Sequence, residues 1–176
     1  MTFSAYEVTI PVMLRGIRTF DHYLDEASNL ATVQKRPISE LMGARLAPNM
    51  LSFAEQIDVG CGKAHRHAAA LCDLDRPKSI PVQSSLDALR GRVRDTQQFL
   101  EELPVAAFSS AETHSYWLSE PLVEGWLCAS DYIFQLVLPD FFFHLTVAHA
   151  IVRHLGSSIG KRDYLGPLNV RARGYS

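Results

Sequence analysis

An acid and an imidazole lie four residues apart near the end of the chain, in the sequence LPDFFFH at residues 138–144. Residues i and i+4 of an α-helix share one face, so Asp140 and His144 point the same way. Histidine transfers protons near neutral pH, and a neighbouring carboxylate orients it and raises its pKa. The pattern therefore predicts His144 as general acid or base and Asp140 as its orienting group. The alternative is a structural pair, with the carboxylate at a helix N-terminus and a core histidine.

Two further acids, Glu55 and Asp58, lie three residues apart on a predicted helix earlier in the chain. They form either a solvated helix face or part of the site. If Asp58 faces inward with the Asp140 and His144 pair, the three would make a carboxylate-rich site that could hold a hard or borderline metal. We therefore take Asp58 as a candidate substrate-binding residue.

Aromatic residues supply candidates for the walls of a pocket. The three consecutive phenylalanines before His144 indicate a deep apolar setting, and Phe143 is predicted to contact substrate. Trp117, on a short β-prone segment, could cover the mouth of that pocket, or it could serve packing alone. Cys61 lies on the apolar face of its predicted helix, a position typical of a buried and inert thiol.

The remaining histidines of these helices do not have the spacing of one ligand set. His65 and His67 are two residues apart, hence about 200° apart around a helix, and His149 and His154 each lie five residues beyond a preceding histidine. We expect these four to be structural or surface residues.

Hydrophobic residues recur with the 3.6-residue period in four segments, which predicts an all-α four-helix bundle. The segments cover about residues 4–31, 51–74, 85–103 and 130–155. Ser52 and Glu55 predict a capping box at the second helix, and residues 38–42 predict a short turn. Two β-prone runs, at 115–119 and 122–127, predict a small hairpin between the third and fourth helices. Pro11 should kink the first helix or mark a start just before it, and Pro139 should kink or restart the fourth helix.

Length and composition limit the class of protein. The chain has 176 residues, of which 47% are hydrophobic, and a net charge of −2, so we expect a single domain over residues 1–176. No long Lys/Arg cluster indicates nucleic-acid binding, and no run of 18 apolar residues predicts a membrane span. The three cysteines have no disulfide-like spacing, which favours a cytoplasmic protein.

Five short motifs stand in order along nearly the whole chain: Tyr6-x-x-x-x-Pro11-Val12, RLAPNM at 45–50, Phe53-x-x-Gln56, LPDFFFH at 138–144 and GKRDYLG at 160–166. Together they resemble the DUF1993 domain family, which belongs to the DinB/YfiT-like superfamily of four-helix bundles. The resemblance also makes Tyr6 and Gln56 candidate substrate-binding residues. The resemblance implies a DinB-like four-helix bundle, and it admits a homodimer because bundles of this superfamily often dimerise.

Many members of the superfamily hold a divalent metal through one histidine on the second helix and a His-x-x-x-His pair on the fourth. Here the fourth-helix pair is Asp140 and His144, and residues 55–59 of the second helix read EQIDV. We therefore expect neither a tightly bound transition metal nor another cofactor. The sequence predicts an acid/base enzyme of isomerase, lyase or cyclase type, acting on a small hydrophobic molecule inside the bundle. The alternatives are a ligand-binding or dimerising accessory protein and a metal-dependent hydrolase or transferase.

Overall fold

Four long helices, one hairpin and three shorter helices make up the described part of the chain. The computed structural model describes residues 4–75, 85–120 and 123–168. In chain order the elements are α1 (Ala5–Gln34), α2 (Ile38–Met42), α3 (Phe53–Leu71), α4 (Leu86–Glu102), a 3₁₀ turn (Val105–Phe108), β1 (Ser115–Glu120), β2 (Val123–Cys128), α5 (Ala129–Asp131), a π-helical segment (Tyr132–Val137), α6 (Leu138–His154) and α7 (Lys161–Leu165). The predicted four-helix bundle with a hairpin before its last helix is confirmed.

Side-chain caps fix where the long helices begin. The Ser52 hydroxyl accepts a hydrogen bond from the backbone N–H of Glu55, whose carboxylate accepts one from the Ser52 N–H. The predicted capping box is thus confirmed, and Ser85 caps α4 in the same way with its hydroxyl. The sequence also predicts a linker over 73–82, from Pro77 and Pro81, and offers Ser84 as a second candidate cap of α4; residues 76–84 lie outside the described part of the chain.

The first helix runs unbroken past its proline. It begins at Ala5, so a start just before Pro11 is wrong, and it ends at Gln34 because Lys35 adopts a left-handed φ of 53°. The end at Ala31 that the periodicity predicts is three residues short, since residues 32–34 continue the helix on exposed positions.

The core lies between α1, α3, α4 and α6, and two glycines bring these helices close together. A Cβ built on Gly16 would lie 2.4 Å from Cε1 of Phe141, and one built on Gly60 would lie 2.6 Å from Cζ of Phe20. Neither aromatic side chain is accessible to solvent. The glycines therefore leave room for two large core rings that hold the helices around the candidate site.

The fourth helix contains a change of helical type just before its proline. From Tyr132 to Val137 the backbone is π-helical, and α6 begins at Leu138 with Pro139 next to it. Val137 and Leu138 both keep right-handed helical dihedrals, so the helix continues into Pro139 while its type changes from π to α. The structure therefore has a change of helical type just before Pro139, without a break in the helix.

The run from Ala129 to His154 is also the one part of the described chain long and apolar enough to cross a membrane, with a mean hydropathy of 1.4 over an 18-residue window. A core helix of a soluble protein meets the same criterion, and this one packs against α1 and α3. Of that window 44% is buried inside the protein, so packing in the bundle accounts for part of its apolar composition.

The hairpin attaches to the start of the fourth helix. Its strands pair antiparallel, with Trp117 opposite Trp126, as the two β-prone runs predict. The ring of Tyr116 stacks on that of Tyr132, with centroids 4.3 Å apart and planes within 8°. The hairpin thereby buttresses the π-helical segment.

Candidate functional site

A polar stripe on α3 faces the catalytic pair predicted on α6. Gln56, Gly60, Lys63 and His67 follow the spacing i, i+4, i+7 and i+11, which places them on one side of the helix. The two helices run antiparallel, so Gln56 meets His144 and His67 meets Asp140. The two stripes together form the candidate site.

A side-chain amide determines the tautomer of the neutral His144 ring. Its Nδ1 lies 2.7 Å from Oε1 of Gln56, and the Gln56 amide nitrogen donates to the backbone carbonyl of Leu51 at 3.4 Å. Because an amide oxygen only accepts, Nδ1 of His144 must carry the proton in this contact. The neutral ring therefore has its lone pair on Nε2.

Asp140 is shared by three neighbours. Its Oδ2 accepts hydrogen bonds from Nζ of Lys63 at 2.8 Å and from Nε2 of His67 at 3.3 Å, whereas its Oδ1 lies 3.7 Å from Nε2 of His144. Burial raises the pKa of Asp140, but the hydrogen bonds from His67 and Lys63 and the charge of Lys63 outweigh it and lower the pKa to about 2. Asp140 is thus a carboxylate at neutral pH, and 3.7 Å is too long for a hydrogen bond to His144.

His67 joins this carboxylate to the π-helical segment. Its Nδ1 lies 2.9 Å from the hydroxyl of Tyr132. Because Nε2 of His67 donates to Asp140, Nδ1 accepts from the Tyr132 hydroxyl, and the hydrogen bonds run from Tyr132 through His67 to Asp140. Burial lowers the pKa of His67 more than Asp140 raises it, which favours this neutral ring.

Burial also decides the charge of His144. Only 7% of the residue is exposed, and desolvation lowers its pKa, with Lys63 acting in the same direction and Asp140 opposing both. Asp140 does raise this pKa, as expected, but desolvation outweighs it and Lys63 adds to the lowering, so the net shift is downward. At neutral pH the ring is an unprotonated base.

Asp58 does not join this site. It is 7% exposed, so a solvated position is wrong, and its Oδ1 lies 3.7 Å from Nε of Arg92 on α4. Asp58 and Gln56 are two residues apart, about 200° around α3, so they face different helices. The predicted grouping of Asp58 with Asp140 and His144 does not form, since Arg92 takes the carboxylate toward α4.

Of the aromatic candidates only Phe143 contacts the site, since its ring packs edge-on against that of His144 with centroids 5.3 Å apart. Phe143 is 55% exposed, so the deep apolar setting predicted for the three phenylalanines is wrong for it; in a helix, consecutive side chains point about 100° apart and cannot all face the core. Trp117 is 43% exposed and packs edge-on against Trp126, and Tyr6 packs edge-on against Phe108. Their contact with a substrate stays a prediction.

The other reactive side chains are structural residues, as the sequence predicts, with the exception of one histidine. Cys61 is fully buried and burial raises the pKa of its thiol to about 12, as expected for an inert thiol. His65 stacks on Phe99, and His149 accepts or donates a hydrogen bond at 2.8 Å to the Tyr23 hydroxyl. His67 is the exception, because it belongs to the site.

Sequence reasoning missed three members of the site: Lys63, His67 and Tyr132. A signal was available for the first two, because they continue the spacing from Gln56 along one face of α3. Tyr132 had none, since its position relative to Asp140 depends on the π-helical segment.

Four surface grooves lined by described residues lie away from this stripe. The largest, of about 350 Å³, has Ala5, Val8, Cys128 and Phe134 among its walls. None of the four is lined by Asp140 or His144. The substrate pocket inside the bundle stays a prediction, and the open edge of the site is formed by the side chains of Lys63 and Asp140, 20% and 19% exposed.

The donor types of the site suit a divalent metal, but their arrangement does not. His67, His144 and Asp140 offer two imidazoles and a carboxylate, which Zn²⁺ binds at about 2.0–2.2 Å. Here each imidazole meets a different oxygen of the carboxylate, and the Lys63 ammonium lies against one of them. Within the described residues, no three His, Cys, Asp or Glu side chains converge on a metal position. The donors as they are arranged here do not form a metal site.

Comparison with known proteins agrees with this fold. No curated protein matches the chain in sequence. A crystal structure at 1.83 Å resolution of a DinB family member protein from Shewanella denitrificans is similar, with 27% sequence identity and a TM-score of 0.85, over 95% of this chain and 94% of that one. The model of the domain of unknown function DUF1993 matches residues 5–165. The chain therefore belongs to the DUF1993 family and has a DinB-like fold.

Proposed function

We propose that the protein is an enzyme that transfers a proton at a small, largely hydrophobic substrate, with His144 as the base. One observation carries the proposal: the hydrogen bond from Nδ1 of His144 to Oε1 of Gln56 leaves the lone pair on Nε2. No described residue donates a hydrogen bond to that atom. A buried histidine with one nitrogen fixed and the other available as an acceptor suits general base catalysis.

The surroundings of Nε2 favour accepting a proton. When Nε2 takes a proton from an acidic C–H or O–H of the substrate, the imidazolium faces Oδ1 of Asp140, 3.7 Å away. The carboxylate remains charged and stabilises that cation, while Gln56 holds the ring in one orientation. The same N–H can then return its proton to another atom of the substrate. Return to a different carbon gives isomerisation, and protonation of a leaving group gives elimination.

The accessible edge of the site limits what binds. Because His144 is nearly buried and Lys63 and Asp140 are partly exposed, the reacting group must enter beside the polar pair, while the rest of the substrate lies on apolar surface. We propose a hydrophobic molecule bearing one carbonyl group, whose α-hydrogen is acidic enough for a histidine base. The three free cysteines fit a cytoplasmic location. A homodimer stays a prediction, since the structure contains one chain.

Exchange of substrate hydrogen for solvent deuterium tests the proposal before the natural substrate is known. A panel of hydrophobic ketones and keto acids is incubated with the protein in D₂O, and loss of the α-hydrogen signal is followed by proton NMR. We expect the wild-type protein to accelerate exchange in at least one compound. General base catalysis contributes about 10²–10⁴-fold, so His144→Gln should reduce the rate by that factor.

His154→Gln is the matched control, because His154 lies on the same helix and is exposed. It should retain the full exchange rate. A folded His144→Gln protein with unchanged exchange would refute the role of His144. If the wild-type protein binds compounds of the panel and exchanges none, a ligand-binding protein, the alternative that the sequence leaves open, becomes the better description.

A further inference from the structure

The site is electrically neutral without any added ion. It contains one carboxylate, Asp140, one ammonium, Lys63, and two imidazoles whose pKa values are both lowered by burial. Nζ of Lys63 lies 2.8 Å from Oδ2 of Asp140, and both side chains are about four-fifths buried. A carboxylate so placed requires a cation nearby, and Lys63 provides it.

The same carboxylate is the centre of a set of metal-binding side chains. His67 on α3 and His144 on α6 approach its two oxygens from either side, at 3.3 Å and 3.7 Å. Two imidazoles and one carboxylate are donors that zinc, cobalt and nickel accept. This arrangement differs from a metal centre in two ways. The two imidazoles lie nearest different oxygens of Asp140, and the Lys63 ammonium contacts one of those oxygens.

We infer that the Lys63 ammonium is the resident cation of this site and that it excludes a divalent metal. A metal bonded to Oδ2 of Asp140 would lie within a few ångströms of Nζ, since both would contact the same oxygen. Like charges at that distance repel strongly in a partly buried site. The inference rests on the contacts of Lys63 and is independent of whether His144 transfers a proton.

Lys63→Met tests the inference, because methionine keeps an unbranched apolar stem and removes the charge. The full chain, free of tags and treated with a chelator, is titrated with Zn²⁺ by isothermal calorimetry. Groups beside metal ligands change metal affinity by about 10–100-fold. We expect Lys63→Met to bind one equivalent of Zn²⁺ at least about tenfold more tightly than the wild-type protein. Lys63→Arg keeps a cation and should behave as the wild-type protein does.

Cobalt identifies the ligands. The Lys63→Met protein with Co²⁺ should show visible absorption bands of a low-coordinate site, and adding His67→Gln to it should abolish them. Stoichiometric zinc in the purified wild-type protein, or no gain of affinity in folded Lys63→Met, would overturn the inference. If Lys63→Met does not fold by circular dichroism, Lys63→Gln also removes the charge and takes its place in the titration. A gain of zinc affinity in Lys63→Gln then supports the inference, and an unchanged affinity overturns it.

Discussion

The absence of a side chain at Gly60 matters both for the packing of the core and for the candidate site. This glycine lies on α3 in the polar stripe, between Gln56 and Lys63. A Cβ there would lie 2.6 Å and 2.7 Å from two ring carbons of Phe20 and 3.4 Å from Cβ of His144. The Phe20 ring is fully buried and packs edge-on against Phe141 at 6.0 Å, so it cannot move alone. Gly60→Ala should therefore displace the Phe20 ring and the core around it, while the new Cβ only reaches ordinary contact with His144.

The size of the effect follows from two opposing contributions. Alanine is favoured over glycine in a helix interior by about 1 kcal/mol. Overpacking a filled core costs about 1–3 kcal/mol. Gly91, inside α4, is the matched control, because a Cβ there meets nothing within 4 Å. Gly91→Ala should raise the free energy of unfolding by about 1 kcal/mol. Both variants gain the helix propensity of alanine, so the difference between their free energies of unfolding gives the cost of overpacking. We expect Gly60→Ala to be less stable than Gly91→Ala by about 1–3 kcal/mol.

Urea unfolding followed by circular dichroism measures both variants against the wild-type protein. The slopes with denaturant should agree, so that the midpoints report stability alone. If Gly60→Ala stabilises the protein as much as Gly91→Ala does, then α3 is not as close to Phe20 as the structure has it. The described geometry of the site around His144 would then be incorrect as well.

Two further predictions concern the buried polar groups. Burial lowers the pKa of four histidines, so the folded protein binds fewer protons than the unfolded chain; they are His65, His67, His144 and His149. The free energy of unfolding should therefore fall as the pH drops below about 6.5. Urea midpoints that are equal at pH 5 and pH 8 would contradict this. Tyr132→Phe leaves Nδ1 of His67 without its donor and should lower the free energy of unfolding by about 1–3 kcal/mol, measured in the same assay. A stability equal to that of the wild-type protein would show that the hydrogen bond contributes nothing.

Local rules were enough to predict much of the fold. The capping box at Ser52, the short helix over 38–42 and the hairpin over 115–128 each depend on residues within a few positions of one another. The change of helical type just before Pro139 is in keeping with a residue that has no N–H to donate. For such elements the residue types determine the backbone directly.

The site was predicted only in part, because it depends on contacts between helices. Asp140 and His144 are neighbours on one helix, and their spacing is enough to predict that they share a face. Lys63 and His67 meet Asp140 only through the packing of α3 on α6, and no rule of spacing gives that register. Asp58 was misplaced for the same reason, since its partner lies on a third helix. The positions of polar groups across a bundle are set by the core residues that align the helices.

The π-helical segment has a consequence for changes of chain length. A turn closed by hydrogen bonds from i to i+5 holds one residue more than a turn of α-helix. Tyr132 and Asp140, which lie on opposite sides of that extra residue, both reach His67. Removing one residue from this turn would restore regular α-helix and rotate Tyr132 about 100° away from Asp140. The hairpin, stacked on Tyr132, would turn with it. The one extra residue of the π-helical segment thus determines how far the hairpin is rotated about the helix axis relative to Asp140 and His67.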